Sequence, residues 1–319
     1  MTEPVGESHR TVAAIDCGTN SIRLLIADPA DGGGLIDRDR RTEIVRLGQG
    51  IDATGEFHPD ALARTFAATD AYAELIHNAG VPPELTHFVA TSASRDARNR
   101  DAFFDGIQGR VGVVPDVITG AVEAQLSFSG ALSRVRPDGE PVLVMDIGGG
   151  STEFIVGRAD GELLSAISLD VGSVRLTERF LKTHPPAAEG LAAATAYVDE
   201  LLDRSGVDFA SVGTWIGVAG TATTLAGVYL GLDAYDHTQV HGSTIPRVEL
   251  ATMLADLSAM TLPEIRALPS MHPNRADVVT GGALVATRAA ARMSVADLVV
   301  SESDILDGIA LALLQEKAS

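Results

Sequence analysis

The sequence predicts an α/β protein built from two related domains, and three observations lead there. One strand, turn, strand pattern occurs twice, alternating strand and helix signals follow each copy, and 319 residues exceed what a single hydrophobic core usually organises. The stretch Ala13 to Asp28 (AAIDCGTNSIRLLIAD) returns in outline at Leu143 to Gly157 (LVMDIGGGSTEFIVG). Each copy runs through β-branched and aliphatic residues to an Asp, turns through Gly and small polar residues, and leaves along a second apolar run. Asp16, Gly18 and Ser21 match Asp146, Gly148 and Ser151 at one constant offset. That offset is several times the roughly 20 to 50 residues of a solenoid repeat, so it marks duplicated domains.

The elements follow in order. Behind the first hairpin the pattern predicts a strand at Thr42 to Arg46, a helix over about His58 to Asn78, and a strand at His87 to Ala90. A helix from about Arg95, a short strand near Val117 and a helix from about Gly120 to Ser133 come next. The segment Arg134 to Pro141 (RVRPDGEP), with its Pro, Gly and charges, is the boundary. The second hairpin leads to a strand near Glu162 to Ser168, helices near Val174 to Leu181 and Ala187 to Leu202, and a strand at Thr214 to Val218. The small-residue turn AGTATT, a helix-rich segment to about Met293, a strand at Leu298 to Ser301 and a helix over about Asp304 to Gln315 complete the chain. The expected organisation is a polar tail (1–10), domain I (11–135), domain II with helical additions (136–303) and a C-terminal helix (304–319), for which packing back on domain I is one option.

Composition narrows the function. Hydrophobic residues at 45% and charged residues at 21% describe an ordinary globular core. No apolar run reaches the roughly 20 residues that cross a bilayer, and Met1 to Arg10 is polar, so the expectation is a cytoplasmic protein without membrane contact. Cys17 is the single cysteine, and the HExxH motif of a zinc site does not occur. A net charge of −19 argues against sequence-independent nucleic-acid binding. It equally repels any polyanionic ligand, so such a ligand requires a local cluster of arginines, backbone N–H groups and metal counter-ions.

The segment Asp146 to Glu153 (DIGGGSTE) has the chemistry of such a cluster. Gly148, Gly149 and Gly150 let a phosphate approach the main chain, Ser151 and Thr152 add hydroxyls, and Asp146 and Glu153 are suited to holding hydrated Mg²⁺. Alone, a GGG is more often a bare turn; its duplication implies two loops facing across a cleft. In the first loop Asp16 is a candidate metal or water ligand, and Thr19, Asn20 and Ser21 are candidate phosphate donors. Arg23 alternates toward either the cleft or the opposite face. In ATSASRDARNRDAF, Arg95 and the hydroxyls before it are candidates for an anion site at a helix start, whereas Arg98 and Arg100 read as solvated. Gly172 with Arg175 and Gly220 with Thr221 lie at two further strand-to-helix junctions, each either an anion site or a close-packed turn. Arg275 and Asp277 read as an internal pair. Glu123, near a helix start, is by itself only a favourable dipole partner.

The motifs DCGTNSIRLLIAD, ATSASRDARN, the TGxxEA stretch holding Glu123, DIGGGSTE, GVAGTATTLA and SESDILDGI, in this order from Val12 to about Leu314, resemble the exopolyphosphatase and guanosine pentaphosphate phosphohydrolase family. The resemblance implies two ribonuclease H-like domains of the actin, sugar kinase and heat-shock ATPase superfamily with the site in the interdomain cleft. It implies Glu123 as the base that activates water, Asp146 and Glu153 as acids associated with Mg²⁺ (or Mn²⁺), and Gly148 to Thr152 as the phosphate loop, with Asn20, Ser21 and Arg95 opposite. Hydrolysis of the terminal phosphoanhydride of polyphosphate leads, with pppGpp as the alternative substrate, a kinase sharing the paired loops as another, and an alarmone-binding sensor as the reading from another class. A homodimer is expected by the same likeness. Ala121 and Val122 stand where many relatives carry acids, which removes charge beside Glu123.

Overall fold

The computed structural model describes residues 11–30, 34–91, 94, 95 and 97–318. The expected polar tail 1–10 lies outside them, as does Ser92, one of the hydroxyls preceding Arg95. Among the described residues no helix is long and apolar enough to cross a membrane.

The first half opens with β1 (Val12–Cys17), β2 (Ser21–Pro29) and β3 (Leu35–Ile44), then α1 (Pro59–Asn78), β4 (Thr86–Ala90), α2 (Arg100–Val111), β5 (Asp116–Val117) and α3 (Gly120–Leu132). The second contains β6 (Val142–Ile147), β7 (Thr152–Gly157), β8 (Leu163–Leu169), α4 (Ser173–Phe180), α5 (Ala188–Arg204), β9 (Thr214–Val218) and α6 (Ala219–Tyr229). It continues with β10 (Thr244–Pro246), α7 (Glu249–Ala259), α8 (Val279–Ala290), β11 (Asp297–Val300) and α9 (Ile305–Ala318). Shorter helical turns are left unlabelled.

The sheets are ordered β3-β2-β1-β4-β5 and β10-β11-β9-β6-β7-β8. In each, the first strand of the duplicated hairpin is central, antiparallel to its hairpin partner and parallel to the strand that returns after helices. Every residue of β1 is buried, as a strand covered on both faces requires. The register aligns matching rows across the sheets. Asp16 faces Arg23, which faces Thr42; Asp146 faces Glu153, which faces Ser168.

One face of the first sheet packs on α1 and α2 through Tyr72, Ile76, Phe103 and Ile107. On α1 the buried positions Ala61, Thr65, Thr69, Tyr72 and Ile76 form one helical stripe, started by Pro59 at the first turn and by His58, whose side chain accepts from the Asp60 N–H. The outer face of the second sheet carries the larger core, with Trp215 and Phe154 beneath α4 to α8. Between the sheets lie α3 and α9, and each covers the other half. Ala124, Phe128 and Ala131 of α3 pack on Val142, Val144 and Ile155 of the second sheet. Ile305, Ile309 and Leu313 of α9 pack on Val12, Ala14 and Leu25 of the first. Burying each such side chain stabilises the fold by roughly 1.5–3 kcal/mol, so the exchange binds the halves together.

Glycines permit the crossing. A Cβ on Gly130 would stand 1.7 Å from the Asp304 carbonyl oxygen, and one on Gly308 would stand 2.0 Å from that of Leu126. Arg40 then ties α9 to β3 through two bonds to Asp307 at 2.9 and 3.0 Å, with Arg134 bonded to Asp37 alongside.

Two differences from the sequence reading have physical causes. β3 starts at Leu35 rather than near Thr42, because its charged, largely exposed edge (IDRDRRTE) shows no apolar alternation. Ser94 and Arg95 are helical, as that reading expects, and the longer helix α2 begins at Arg100. AGTATT is the first part of α6 rather than a turn, because its small residues are buried against neighbouring segments and thus look like a loop by composition alone.

Replacing Gly130 or Gly308 by Ala is expected to destabilise the protein by about 3 kcal/mol, since neither carbonyl can retreat without moving its helix. A lowered denaturant midpoint in urea unfolding checks this.

Candidate active site

Each duplicated turn closes in the same way. The Gly18 N–H donates to the Ser21 carbonyl at 3.0 Å, and the Gly148 N–H donates to the Ser151 carbonyl at 3.0 Å. The two turns then meet face to face: a Cβ on Gly149 would lie 3.0 Å from the Asn20 Cβ and 3.4 Å from its backbone nitrogen. Between them opens a cleft enclosing about 850 Å³.

Most of the expected residues line this cleft. Thr19, Asn20 and Ser21 face Gly148, Gly149, Gly150 and Ser151 across it, Gly220 and Thr221 line it too although the Thr221 hydroxyl donates to the Ile147 carbonyl at 2.9 Å, and Asp16, Glu123, Asp146 and Glu153 bring four carboxyls to the same space. Arg23 points into the cleft, which resolves its two alternatives.

Four expected phosphate contacts are placed otherwise. The Thr152 hydroxyl is fully buried and donates to the Val171 carbonyl at 2.5 Å. Gly172 sits where a Cβ would strike the Gly149 backbone at 2.5 Å, so it serves close packing. The first N–H groups of α4 are already used, because Ser173 donates to Gly148 O and Val174 and Arg175 donate to Gly149 O at 2.9–3.0 Å. The Arg175 guanidinium binds Asp170 at 3.0 Å. Arg95 gives Nη1 to Ile118 O at 2.9 Å and to Glu123 Oε2 at 3.0 Å, so it holds a carboxylate instead of lining the cleft. The helix-start signal was real at α4, but the amides it offers hold the phosphate-loop backbone.

Sequence reasoning missed Arg275. The expected pairing with Asp277 does not form: Asp277 binds Arg46 at 2.8 Å. Arg275 instead donates to Gly220 O at 3.0 Å and Thr224 Oγ1 at 3.1 Å, and its side chain reaches the cleft from the second half. Burial lowers its pKa, and the opposing fields of Tyr235, Glu302 and Asp304 do not make up the difference. Two residues of sequence spacing carried no sign that the side chains would diverge.

Glu123 lies in the first turn of α3, where Thr119 caps the helix by accepting from the Val122 N–H at 3.3 Å. Burial, followed by the negative field of Glu153, pushes its carboxyl up to about 7 despite the opposing pull of Arg95. Asp146 and Glu153 are opposite each other on β6 and β7, and burial raises both. Ser168 orients Glu153 by donating to Oε1 at 2.6 Å.

The matching row of the first sheet has a cation where the second has Glu153. Arg23 Nε and Nη2 both bind Asp16 Oδ2, at 3.1 and 2.7 Å. One oxygen of Asp16 is therefore already held by Arg23, whereas Asp146 has no such cation opposite it in its sheet. Among the described residues no cluster of three or more His, Cys, Asp or Glu side chains could hold a metal. The pair Asp146 and Glu153 fits Mg²⁺ all the same, since this ion is bound through one or two carboxylates with water and phosphate oxygens supplying the rest.

These features are those of a phosphohydrolase: a glycine-rich phosphate cradle, an acid pair and a carboxyl poised near neutrality in a cleft between duplicated sheets. Residues 25–317 match the model of the Ppx/GppA phosphatase family. The chain is 47% identical to Exopolyphosphatase 2 of Mycobacterium tuberculosis over 95% of its own length and 98% of that protein. It superposes on the crystal structure of an exopolyphosphatase-like protein with a TM-score of 0.90 at 40% identity, covering 98% of this chain and 100% of the other. An exopolyphosphatase from Cytophaga hutchinsonii gives 0.86 at 26% identity, with 96% and 98% covered. The chain belongs to the Ppx/GppA phosphatase family, and it shares that family's two-sheet α/β fold.

Because Glu123 is held above its usual pKa of about 4.5, the folded state binds a proton more readily than the unfolded chain. Its contribution to stability is full below about 4.5 and is lost as pH rises toward about 7. Glu123→Gln is accordingly expected to be more stable than wild type at pH 8, by on the order of 2 kcal/mol, and to lose that advantage near pH 4. Thermal melts of both proteins at the two pH values check the sign.

Proposed function

We propose that the protein is an exopolyphosphatase, which hydrolyses the terminal phosphoanhydride of inorganic polyphosphate and releases orthophosphate. The observation that carries this is the apposition of Gly149 and Asn20, which brings both turns, Glu123 and the Asp146–Glu153 pair to one cleft. The name of the 47%-identical relative supports polyphosphate as the substrate. The reading takes 11–135 and 136–303 as the two domains and 304–319 as the C-terminal helix.

In this mechanism Gly148 to Ser151 and Thr19 to Ser21 hold the terminal phosphates, with Gly220 and Thr221 at the end of the cleft. Arg275, bonded to a carbonyl and a hydroxyl and not to a carboxylate, offsets part of the repulsion expected from a net charge of −19. Arg95 fixes one oxygen of Glu123, and the other accepts a proton from a water molecule. The water oxygen bonds to the terminal phosphorus as the bond to the bridging oxygen breaks, and the shortened chain leaves as an oxyanion. Asp146 and Glu153 would hold the Mg²⁺ (or Mn²⁺), which when bound spreads charge away from the phosphoryl oxygens. A carboxyl this well placed and this close to neutrality favours turnover over a sensor role.

A second reading, pppGpp hydrolysis, has one observation in its favour. A neighbouring cavity of about 1080 Å³ shares Arg23, Gly220 and Arg275 with the cleft and is lined by Tyr235, Pro269, Met271, His272 and Pro273. Such a lining suits a nucleoside better than a phosphate chain.

Phosphate release from polyphosphate, pppGpp and ATP, with and without Mg²⁺, tests both readings. Mg²⁺-dependent release from polyphosphate, reduced roughly 100-fold or more in Glu123→Gln, is expected. The rate should rise with pH through about 7 as Glu123 loses its proton. Faster release from pppGpp than from polyphosphate would make the second reading the better one, and equal rates in Glu123→Gln and wild type would remove Glu123 from the mechanism. Assembly as a homodimer, the commonest closed symmetry, belongs to the same reading, and sedimentation velocity should give twice the chain mass.

A further inference from the structure

The duplicated rows differ by one exchange, and it changes the charge of the site. In the second sheet Asp146 faces a second acid, Glu153; at the same place in the first sheet Asp16 faces Arg23. A second carboxylate closes on Arg23 from the residue before α9, because its Nη1 binds Asp304. The guanidinium thus lies between Asp16 and Asp304, with side-chain exposures of 13%, 8% and 3%. Asp304 is anchored independently, since its Oδ1 accepts from the Leu306 N–H at 3.1 Å. Two fixed carboxylates thus converge on one point between the phosphate cleft, which Asp16 lines, and the neighbouring cavity, which Asp304 lines, an arrangement that a divalent ion otherwise fills.

We propose that Arg23 is a tethered cation standing in the place of a second divalent ion, so that the chain holds one exchangeable ion, at Asp146 and Glu153. The inference rests on the metal assignment made under the proposed function and deepens it. A guanidinium supplies positive charge that cannot dissociate, and its planar fork serves two carboxylates at once. It carries no bound water whose pKa it could lower, unlike a metal ion. This side of the cleft therefore supplies no metal-bound nucleophile, and water activation is left to Glu123. The arrangement also couples chemistry to fold, since the same side chain joins the first hairpin to the start of α9.

The test is the number of Mn²⁺ ions bound by the full chain without substrate, counted by equilibrium dialysis and by electron paramagnetic resonance titration. Wild type is expected to bind one ion per chain, lost in Glu153→Gln. Arg23→Gln is expected to gain a second, weaker site, which the further change Asp304→Asn removes. Two ions in wild type overturn the inference while leaving Asp146 and Glu153 as ligands, and so does a single ion in a folded Arg23→Gln protein. No bound ion in wild type overturns the metal assignment and this inference with it. If Arg23→Gln fails to fold, the wild-type count decides between one ion and two.

Discussion

The structure depends on how closely its two halves approach at the duplicated turns. Gly149 and Asn20 leave no room between them for a side chain, and this contact makes one site from two loops. It is held from below by α3 and α9, which cross through Gly130 and Gly308 and each cover the other half's sheet. A carbonyl and an absent Cβ at each crossing point leave the helices a single way to pack. The cleft is consequently a property of the whole chain, and neither sheet could form it alone.

Within that frame the two copies have diverged in charge. The second keeps Asp146 open to the cleft beside the more deeply buried Glu153, whereas the first places Arg23 opposite Asp16 and closes Asp304 over it. One copy offers ligands and the other offers a fixed cation. In a chain with a net charge of −19 the cation this leaves toward the cleft is Arg275, while Arg23 holds Asp16 and Asp304 together. Burial sets the remaining chemistry, raising Glu123 toward neutrality where a base is most effective near physiological pH.

The hairpins, the order of their successors and most of the cleft lining were legible from residue pattern, because a strand that must be buried on both faces writes an apolar run and a tight turn writes Gly with small polar residues. β3 was only partly legible, since an exposed edge strand has no buried face to record. The site residues divide similarly. Thr152, Gly172 and Arg175 sit in motifs that look identical whether their polar groups meet a ligand or the protein itself, and here they meet Val171, Gly149 and Asp170. Arg95 was found as a functional candidate and given the wrong partner, Glu123 being distant in sequence.

By itself the sequence determined the α/β character, the duplication, the glycine-rich turns and the acids placed beside them, because these follow from local periodicity and from side-chain chemistry. Only the tertiary structure decided which groups remain available. Arg23 is taken up by Asp16 and Asp304, the first amides of α4 by two glycine carbonyls, and Arg275 is released toward the cleft once Asp277 has turned to Arg46. The reason is that hydrogen bonds and charges are satisfied by whatever lies nearest in space, and a turn, a register and a helix crossing choose those neighbours far from any position visible along the chain.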